Sequence, residues 1–197
     1  MRTYLPQGAT CLELRGAPDD GLRTGGLWHA RKRWHLTGLH HEARADPSLR
    51  RERAGSVASW SYEPPFDDYN GDPSRFEDYL AIDDAGYGFY AIADSDAEVI
   101  GSYCFGEEAR VPGQSSIDGV VDIGGGIRPD LVSNGIATSV FPAIIDFAAS
   151  TFHPTAYRTF IASFNQRSTR LCLAAGFSVA RVFEGPGCEF QEMLRPG

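Results

Sequence analysis

Residues 122–148 read DIGGGIRPDLVSNGIATSVFPAIIDFA, and this stretch decides the fold. It opens as a strand that ends in three consecutive glycines. From Ile136 onward, apolar residues recur at helical spacing, which predicts a helix over 136–150 with a kink at Pro142. Glycine inside a strand marks a bulge or a ligand lying against the backbone. The stretch therefore predicts a strand, a turn and a helix that contact one elongated ligand.

The turn between this strand and helix has two interpretations. A helix N-terminus leaves four amide N–H groups without partners and carries about half a positive charge. The small residues Ser133, Asn134, Gly135, Ala137 and Thr138 allow a phosphate to approach those amides. Ser133 or Asn134 would equally serve as an ordinary helix cap. The turn alone favours the cap, whereas the glycines before it favour a bound phosphate.

Hydrophobic periodicity places further elements on both sides of this unit. A hairpin is predicted over 88–94 and 98–106, and a strand over 156–164 leads into a helix that Asn165 caps and Gly176 ends. The other predicted elements are a strand at 11–16, a helix at 50–60, a short helical or extended stretch at 75–82, and final strands near 178–184 and 188–194. This order predicts an α/β fold of the α+β type, with a central, mostly antiparallel sheet flanked by helices.

Charge differs between the two ends of the chain. Residues 1–55 hold ten basic and six acidic residues, a net charge of +4, and residues 56–197 hold eight and twenty, a net charge of −12, which together give −8. We therefore divide the chain into an irregular basic segment, 1–55, and a main domain, 56–197. The first is either an appendage or the first strand and helix of the domain. The acidic main domain is unfavourable for nucleic-acid binding, which requires clustered positive charge.

Composition is that of an ordinary soluble protein, with 42% apolar and 12% aromatic residues. No apolar run is long enough to span a membrane, and we expect no signal peptide. The four cysteines lie too far apart for a CxxC metal site, and the histidines of the first segment lack ligand spacing. We therefore expect a cytoplasmic protein that requires no metal and binds no membrane.

Two common phosphate-binding motifs are missing from the sequence. It contains no GxxxxGK[ST], so a P-loop is excluded. The glycines at 124–126 lack the GxGxxG spacing of dinucleotide-binding folds, and no early βαβ unit carries an acidic residue at the ribose position. A nucleotide-binding enzyme is therefore a weaker alternative, which binding of ATP or NAD would favour.

Three segments resemble the GNAT superfamily of acyl-CoA-dependent N-acyltransferases. DIGGGIRPDLVSNGIATSVFPAIIDFA is similar to the segment where a bulged strand meets the pantetheine arm and a Q/R-x-x-G-x-G/A turn wraps the pyrophosphate. RTFIASFNQRSTRLCLAAGF is similar to the strand and N-x-x-[AS] helix that follow, and IGSYCFGEEARVPG is similar to the hairpin strand that precedes them. The similar region runs from about Trp60 to Phe183. The resemblance implies a GNAT-like sheet with a splayed strand pair for CoA.

Acetyl-CoA is the co-substrate that this resemblance implies. Ile127 and Arg128 would meet the pantetheine arm through their backbone, and Asn165 would lie beside it. The pyrophosphate would be bound by the turn and the first turn of the helix, which comprise Ser133, Asn134, Gly135, Ile136, Ala137 and Thr138.

Two positions depart from the family pattern. Val132 stands where the motif has Gln or Arg, which leaves the backbone contacts intact. Cys172 stands where many members have the tyrosine that protonates the departing thiolate, so that assignment does not transfer to this chain. A small buried core residue is the stronger interpretation of Cys172. Tyr103 and Tyr69 are weaker candidates for the acid.

Acyl transfer also requires a base that makes the amine neutral. Glu107, Glu108 and Asp122 are the candidates, with Glu107-Glu108 preferred because this pair ends a strand on the expected acceptor side. The alternative for the pair is a solvated strand end. Asp122 lies inside an apolar strand, where an unpaired carboxylate is costly, so it is either ion-paired or functional.

Three aromatic residues, Tyr62, Phe66 and Tyr69, precede the sheet in WSYEPPFDDY and either line an acceptor pocket or pin a loop. Together these observations predict an N-acetyltransferase that moves an acetyl group from acetyl-CoA to a primary amine of a small molecule, peptide or protein. The alternative is a CoA-binding sensor or structural module without catalysis. A homodimer is a further expectation.

Overall fold

Seven strands and three α-helices make up the fold. The computed structural model describes residues 35–38, 47–94 and 96–197, so the strand predicted at 11–16 lies outside the described residues. The strands are β1 (His35–Gly38), β2 (Gly88–Ala93), β3 (Val99–Phe105), β4 (Val120–Ile127), β5 (Ala156–Ala162), β6 (Ser178–Glu184) and β7 (Glu189–Pro196). The α-helices are α1 (Pro47–Ala58), α2 (Ile136–Phe152) and α3 (Gln166–Ala174).

One sheet contains all seven strands, in the order β1-β2-β3-β4-β5-β7-β6. Neighbouring strands run antiparallel except β4 and β5, which are parallel. The mostly antiparallel sheet flanked by helices is therefore confirmed. β4 and β5 pair only from Val120 to Asp122, against Ala156–Arg158, although β4 continues to Ile127. A groove therefore opens between the two strands beyond Asp122.

Each face of the sheet is covered by different helices. α2 and α3 cover one face, where Ile144 and Cys172 join the main buried cluster with Tyr103 of β3 and Ile161 of β5. α1 covers the other face and packs against β2 and β3 in a second cluster. The groove therefore has α2 and α3 on one side and the segment that follows α1 on the other.

The boundary drawn between residues 55 and 56 falls inside α1. Ala54 has no exposed surface and packs in the same cluster as Val57 and Ala58. β1 pairs with β2 as the edge strand of the sheet. Residues 35–38 and 47–55 therefore belong to the sheet and to the helix packed against it.

Three local predictions can be compared with the structure. The short helical or extended stretch predicted at 75–82 forms 3₁₀ turns at Pro73–Arg75 and Asp78–Leu80. The helix predicted at 136–150 is confirmed as α2, which continues through the exposed Pro142 to Phe152, and the kink at Pro142 stays a prediction. β4 carries no bulge, since its register with β3 is regular from Gly101 to Phe105.

Candidate functional site

The open edge of β4 presents backbone groups to the groove. The Arg128 N–H donates to the Ile100 carbonyl at 2.9 Å, which makes these two residues a hydrogen-bonded antiparallel pair. Because such pairs alternate along a ladder, Ile127 and Gly125 direct their N–H and C=O groups away from β3. Their other neighbour would be β5, which has already diverged. The groove is therefore lined by backbone donors and acceptors from β4.

Arg128 does not fit its predicted backbone role. Its N–H is bonded to Ile100, and its carbonyl accepts from the Leu131 N–H at 2.9 Å. Its guanidinium is held by Asp130 at 2.8 Å and by the Val99 carbonyl at 3.0 Å. The Arg128 N–H is therefore not available to a ligand, and a contact of its carbonyl with the pantetheine arm stays a prediction.

Gly125 is required by the backbone of β4. Its φ of +142° is one that residues with a side chain rarely adopt. A Cβ there would lie 2.3 Å from the Ser102 carbonyl oxygen and 2.8 Å from Cγ of Tyr103. The glycine thus permits the close approach of β3, including the Tyr103 ring. Close packing from the neighbouring strand explains this glycine without a bulge.

The N-terminus of α2 has no side-chain cap among the described residues. Gly135 is the N-cap residue, with a left-handed φ of 76°, and a Cβ there would meet nothing within 4 Å. Ser133 and Asn134 are exposed and do not cap the helix, so the capping interpretation of this turn is wrong. The first amides of α2 therefore face open space.

Arg167 places a positive charge beside this turn. Its Nη1 donates to Ser133 Oγ at 2.9 Å. No sequence pattern indicates this contact, because the two residues are 34 positions apart and no motif connects them. Uncapped amides, a small open turn and a guanidinium together fit a diphosphate. The backbone of 133–138 and the Arg167 side chain would hold it.

The N-terminus of α3 is organised differently. The Asn165 side-chain oxygen accepts from the Ser168 N–H at 3.1 Å, as an N-cap does. Only 8% of Asn165 is exposed. Its predicted place beside the pantetheine arm remains a prediction.

The predicted acceptor segment spans the groove. Tyr62 donates its hydroxyl hydrogen to the Ile127 carbonyl at 2.9 Å, on the β4 side. On the β5 side, the Phe66 ring lies 6.0 Å from the Phe164 ring, and the Arg167 guanidinium lies 4.0 Å above Phe66. The Tyr69 ring lies 6.3 Å from Phe164. These contacts hold the segment across the two strands, as the loop-pinning interpretation predicts, and the role of the three aromatic residues in binding an acceptor stays a prediction.

Burial affects the acidity of two of these tyrosines. It raises the pKa of Tyr62 to about 12, and Tyr79 adds to the rise. Burial also raises the pKa of Tyr69, while hydrogen bonds to Asn165 and the Ala162 backbone act in the opposite direction. Both phenols therefore keep their protons at neutral pH and act as hydrogen-bond donors.

Asp122 is a structural residue at the closed end of the groove. Only 2% of it is exposed, and its oxygens accept from Arg110 Nε at 2.8 Å and Arg158 Nε at 2.6 Å. Arg158 is itself buried and also donates to the Ser115 carbonyl at 2.7 Å. The ion-paired interpretation of Asp122 is therefore correct, and its proposed role as a base is wrong.

The two glutamates after β3 lie in different environments. Both belong to the 3₁₀ turn Gly106–Ala109, where Glu107 is exposed and Glu108 is partly buried. Burial raises the pKa of Glu108, although Arg75, 3.6 Å away, lowers it. Ala109 lies against Gly124 of β4, since a Cβ on Gly124 would come 3.3 Å from its Cα. This turn therefore lies beside β4, and Glu108 is the more buried of its two glutamates. The role of Glu107 or Glu108 as a base stays a prediction.

Cys172 is buried on the inner side of α3, with 5% exposed. Burial raises the pKa of its thiol to about 12, so the thiol stays protonated. Its burial in the main core cluster confirms the interpretation of Cys172 as a small core residue.

None of the helices in the described part of the chain combines the length and the apolar composition that a membrane span requires. Among the same residues, no three His, Cys, Asp or Glu side chains are grouped so that they could hold a metal ion.

Comparisons with known proteins cover most of the chain. Residues 29–178 match the family described as Acetyltransferase (GNAT) domain. No curated protein matches the chain. A chimeric spermidine N-acetyltransferase from Vibrio cholerae and hSSAT is similar in structure, with 16% identity, a TM-score of 0.58, and coverage of 83% of this chain and 94% of that one.

Two other solved structures are also similar to this chain in fold. A spermidine N-acetyltransferase from Vibrio cholerae in complex with CoA and spermine has 15% identity, a TM-score of 0.55, and coverage of 83% and 95%. A GCN5-related N-acetyltransferase from Kribbella flavida has 17% identity, a TM-score of 0.51, and coverage of 83% and 98%. At these identities the likeness concerns the fold.

Proposed function

Because residues 29–178 match the GNAT acetyltransferase domain, the chain belongs to this family of acyltransferases, and we propose that it transfers an acetyl group from acetyl-CoA to a primary amine. The acceptor is a small molecule or a peptide or protein amino group. The observation that carries the proposal is the continuity of the open β4 edge with the uncapped end of α2. One elongated ligand with an amide-bearing arm and a diphosphate suits both.

The open edge of β4 also offers hydrogen-bond donors for the negative charge that develops during acyl transfer. The amine nitrogen attacks the thioester carbonyl, a C–N bond forms, and the C–S bond breaks with its electron pair going to sulfur. The carbonyl oxygen gains negative charge in this process and requires a donor. The N–H groups of Gly125 and Ile127 face the groove and are the donors that suit this oxygen.

Glu108 is the base that we assign to the amine. Its pKa is raised chiefly by burial, which brings it closer to neutrality than that of an exposed glutamate. Arg75, 3.6 Å away, keeps it from rising further and holds its carboxylate. The ionised carboxylate takes the proton that nitrogen loses, directly or through water. The rate should therefore fall as pH drops through the pKa of Glu108.

Charge on the acceptor segment supports a cationic amine. Three acidic residues, Glu63, Asp67 and Asp68, flank Phe66 within this segment. Glu63 and Asp67 are exposed, and Asp68 is partly buried. Burial and the neighbouring Asp67 raise the pKa of Asp68. Two of the similar structures are spermidine N-acetyltransferases by their names. Polyamines and other small amines therefore come first among the acceptors to be tested.

The test is thiol release from acetyl-CoA across a panel of amines, with CoA binding measured in parallel. We expect saturable CoA binding and turnover with at least one primary amine. Each active amine is paired with its tertiary analogue, which has no N–H to replace and should give none. Saturable CoA binding without turnover on any amine would contradict the proposal and favour a sensor or structural module.

A further inference from the structure

The inner position of α3 where many GNAT members have a tyrosine carries no strong hydrogen-bond donor in this chain. At the inner position of that helix the side chain is Cys172, which is buried and protonated. A thiol is a weak hydrogen-bond donor. Charge that develops on the leaving sulfur must therefore be met by a group from another element.

Tyr103 lies on the same face of the sheet as Cys172. It is paired with Gly125 across β3 and β4, and its ring occupies the space that a side chain on Gly125 would fill. The ring centroid lies 6.2 Å from that of Phe141 on α2. Tyr103 belongs to the buried cluster that also contains Ile161 of β5 and Cys172 of α3. Its ring thus lies against β4 where β4 leaves β5.

The Tyr103 hydroxyl has no hydrogen-bond partner in the described part of the chain, although only 5% of the residue is exposed, and the same holds for the buried Tyr157. The two differ in place, because Tyr157 pairs with Val121 where β4 and β5 are joined, whereas Tyr103 lies against Gly125 on the open stretch of β4. The buried polar atoms without a partner there are Trp60 Nε1 and Ser163 Oγ, so the Tyr103 hydroxyl retains access to solvent. The equally buried Tyr90 instead donates to the Gly86 carbonyl at 2.6 Å. A buried tyrosine normally finds a partner, so an open one suits a ligand.

Electrostatics keep this hydroxyl protonated. Burial raises the pKa of Tyr103 well above its ordinary value, and Cys172 and then Tyr62 add to the rise. Cys104 makes a further contribution in the same direction. No acid or base is needed to prepare the donor, because it carries its proton throughout the neutral range.

We propose that the Tyr103 hydroxyl donates a hydrogen bond to the sulfur of CoA as it leaves, which makes Tyr103 a catalytic residue. This role rests on the proposed acetyl transfer. As the C–N bond forms and the C–S bond breaks, sulfur takes the electron pair and Tyr103 stabilises the resulting thiolate. Tyr103 keeps its own proton, and the proton lost by the amine reaches sulfur through Glu108 and water.

The test compares Tyr103→Phe with Tyr90→Phe, two variants that each remove one hydroxyl from equally buried rings. Steady-state rates are measured with acetyl-CoA and an active amine, and the pKa of the bound CoA thiol is measured by ultraviolet absorbance of the thiolate. Tyr103→Phe should lower kcat roughly 100-fold, as removal of one donor to a developing anion does, with KM for acetyl-CoA nearly unchanged. It should also raise the pKa of the bound thiol. Tyr90→Phe should leave both values as in the wild type.

The thiol measurement needs CoA alone, so it separates this inference from the proposed function. If the wild type binds CoA but acetylates no amine, the proposed function fails and the bound-thiol pKa still tests Tyr103. A Tyr103→Phe protein with wild-type kcat and wild-type thiol pKa would overturn the inference. If that variant does not fold, fluorotyrosine at position 103 keeps the ring and should lower the bound-thiol pKa, and an unchanged value would equally overturn it.

Discussion

Two consecutive strand–turn–helix units, β4–α2 and β5–α3, lie side by side and differ in how the N-terminus of the helix is capped. In the second unit the side chain of Asn165 caps α3. In the first unit Gly135 occupies the N-cap position, and no described side chain caps α2. The same fold therefore satisfies one helix N-terminus internally and leaves the neighbouring one open. A glycine at the N-cap costs only a few tenths of a kcal/mol relative to asparagine, and it leaves the first amides of α2 available to an anion.

The two units are joined at their base by Asp122 and Arg158, and the largest predicted effect comes from separating them. Asp122→Asn should lower the free energy of unfolding by about 3 kcal/mol, because it removes the buried negative charge that pairs with both Arg110 and Arg158 and leaves Arg158 with only its longer ion pair to Glu192 at 3.6 Å. Urea denaturation measures the change.

Asp130→Asn is the control for this prediction. It removes an exposed carboxylate that pairs with Arg128 at 2.8 Å, and it should cost at most about 1 kcal/mol. Equal losses in the two variants would show that Asp122 does not join the units as described.

The next effect concerns the strand that opens the first unit. Gly125→Ala should cost about 2–3 kcal/mol, because a Cβ would strain a φ of +142° and collide with the Ser102 carbonyl. Gly113→Ala has a comparable positive φ of 85° in open space and should cost about 1 kcal/mol. Thermal denaturation of both variants gives the comparison. A smaller loss at Gly125 than at Gly113 would contradict the close approach of β3.

The smallest effect tests the caps directly. Asn165→Ala should lower the free energy of unfolding by about 1 kcal/mol, because α3 loses its N-cap. Ser133→Ala, in the corresponding turn of α2, should change it by no more than about 0.5 kcal/mol. Chemical denaturation resolves the difference. A loss at Ser133 as large as that at Asn165 would show that α2 is capped after all.

Local patterns predicted the elements around the groove, but contacts between distant residues escaped them. Helical spacing and the glycines identified α2 and β4, and Asn165 was identified as a cap from its place before α3. The sequence left the partner of Asp122 open, since Arg158 is 36 residues away. It also assigned a free backbone to Arg128, whereas the register with β3 consumes its N–H.

The prediction of the site from the sequence was limited in the same way. The turn 133–135 was identified by its small residues. Whether one of its side chains caps α2 depends on backbone angles that the composition does not specify. The contact of Arg167 with Ser133 and the open hydroxyl of Tyr103 arise only when α3 and β3 are packed against the first unit. The spacing of residues along the sequence does not indicate such contacts.

Calorimetric titration with CoA of the wild type, Gly135→Asp and Gly113→Asp tests the central claim that the open end of α2 binds the diphosphate. Both glycines have positive φ values and open space, so both variants should fold and carry the same added charge. At residue 135 the carboxylate occupies the amides of α2 and repels phosphate, so CoA should bind at least about 10-fold more weakly, a loss of about 1.4 kcal/mol. Gly113→Asp should bind CoA like the wild type. Wild-type affinity in Gly135→Asp would contradict the account.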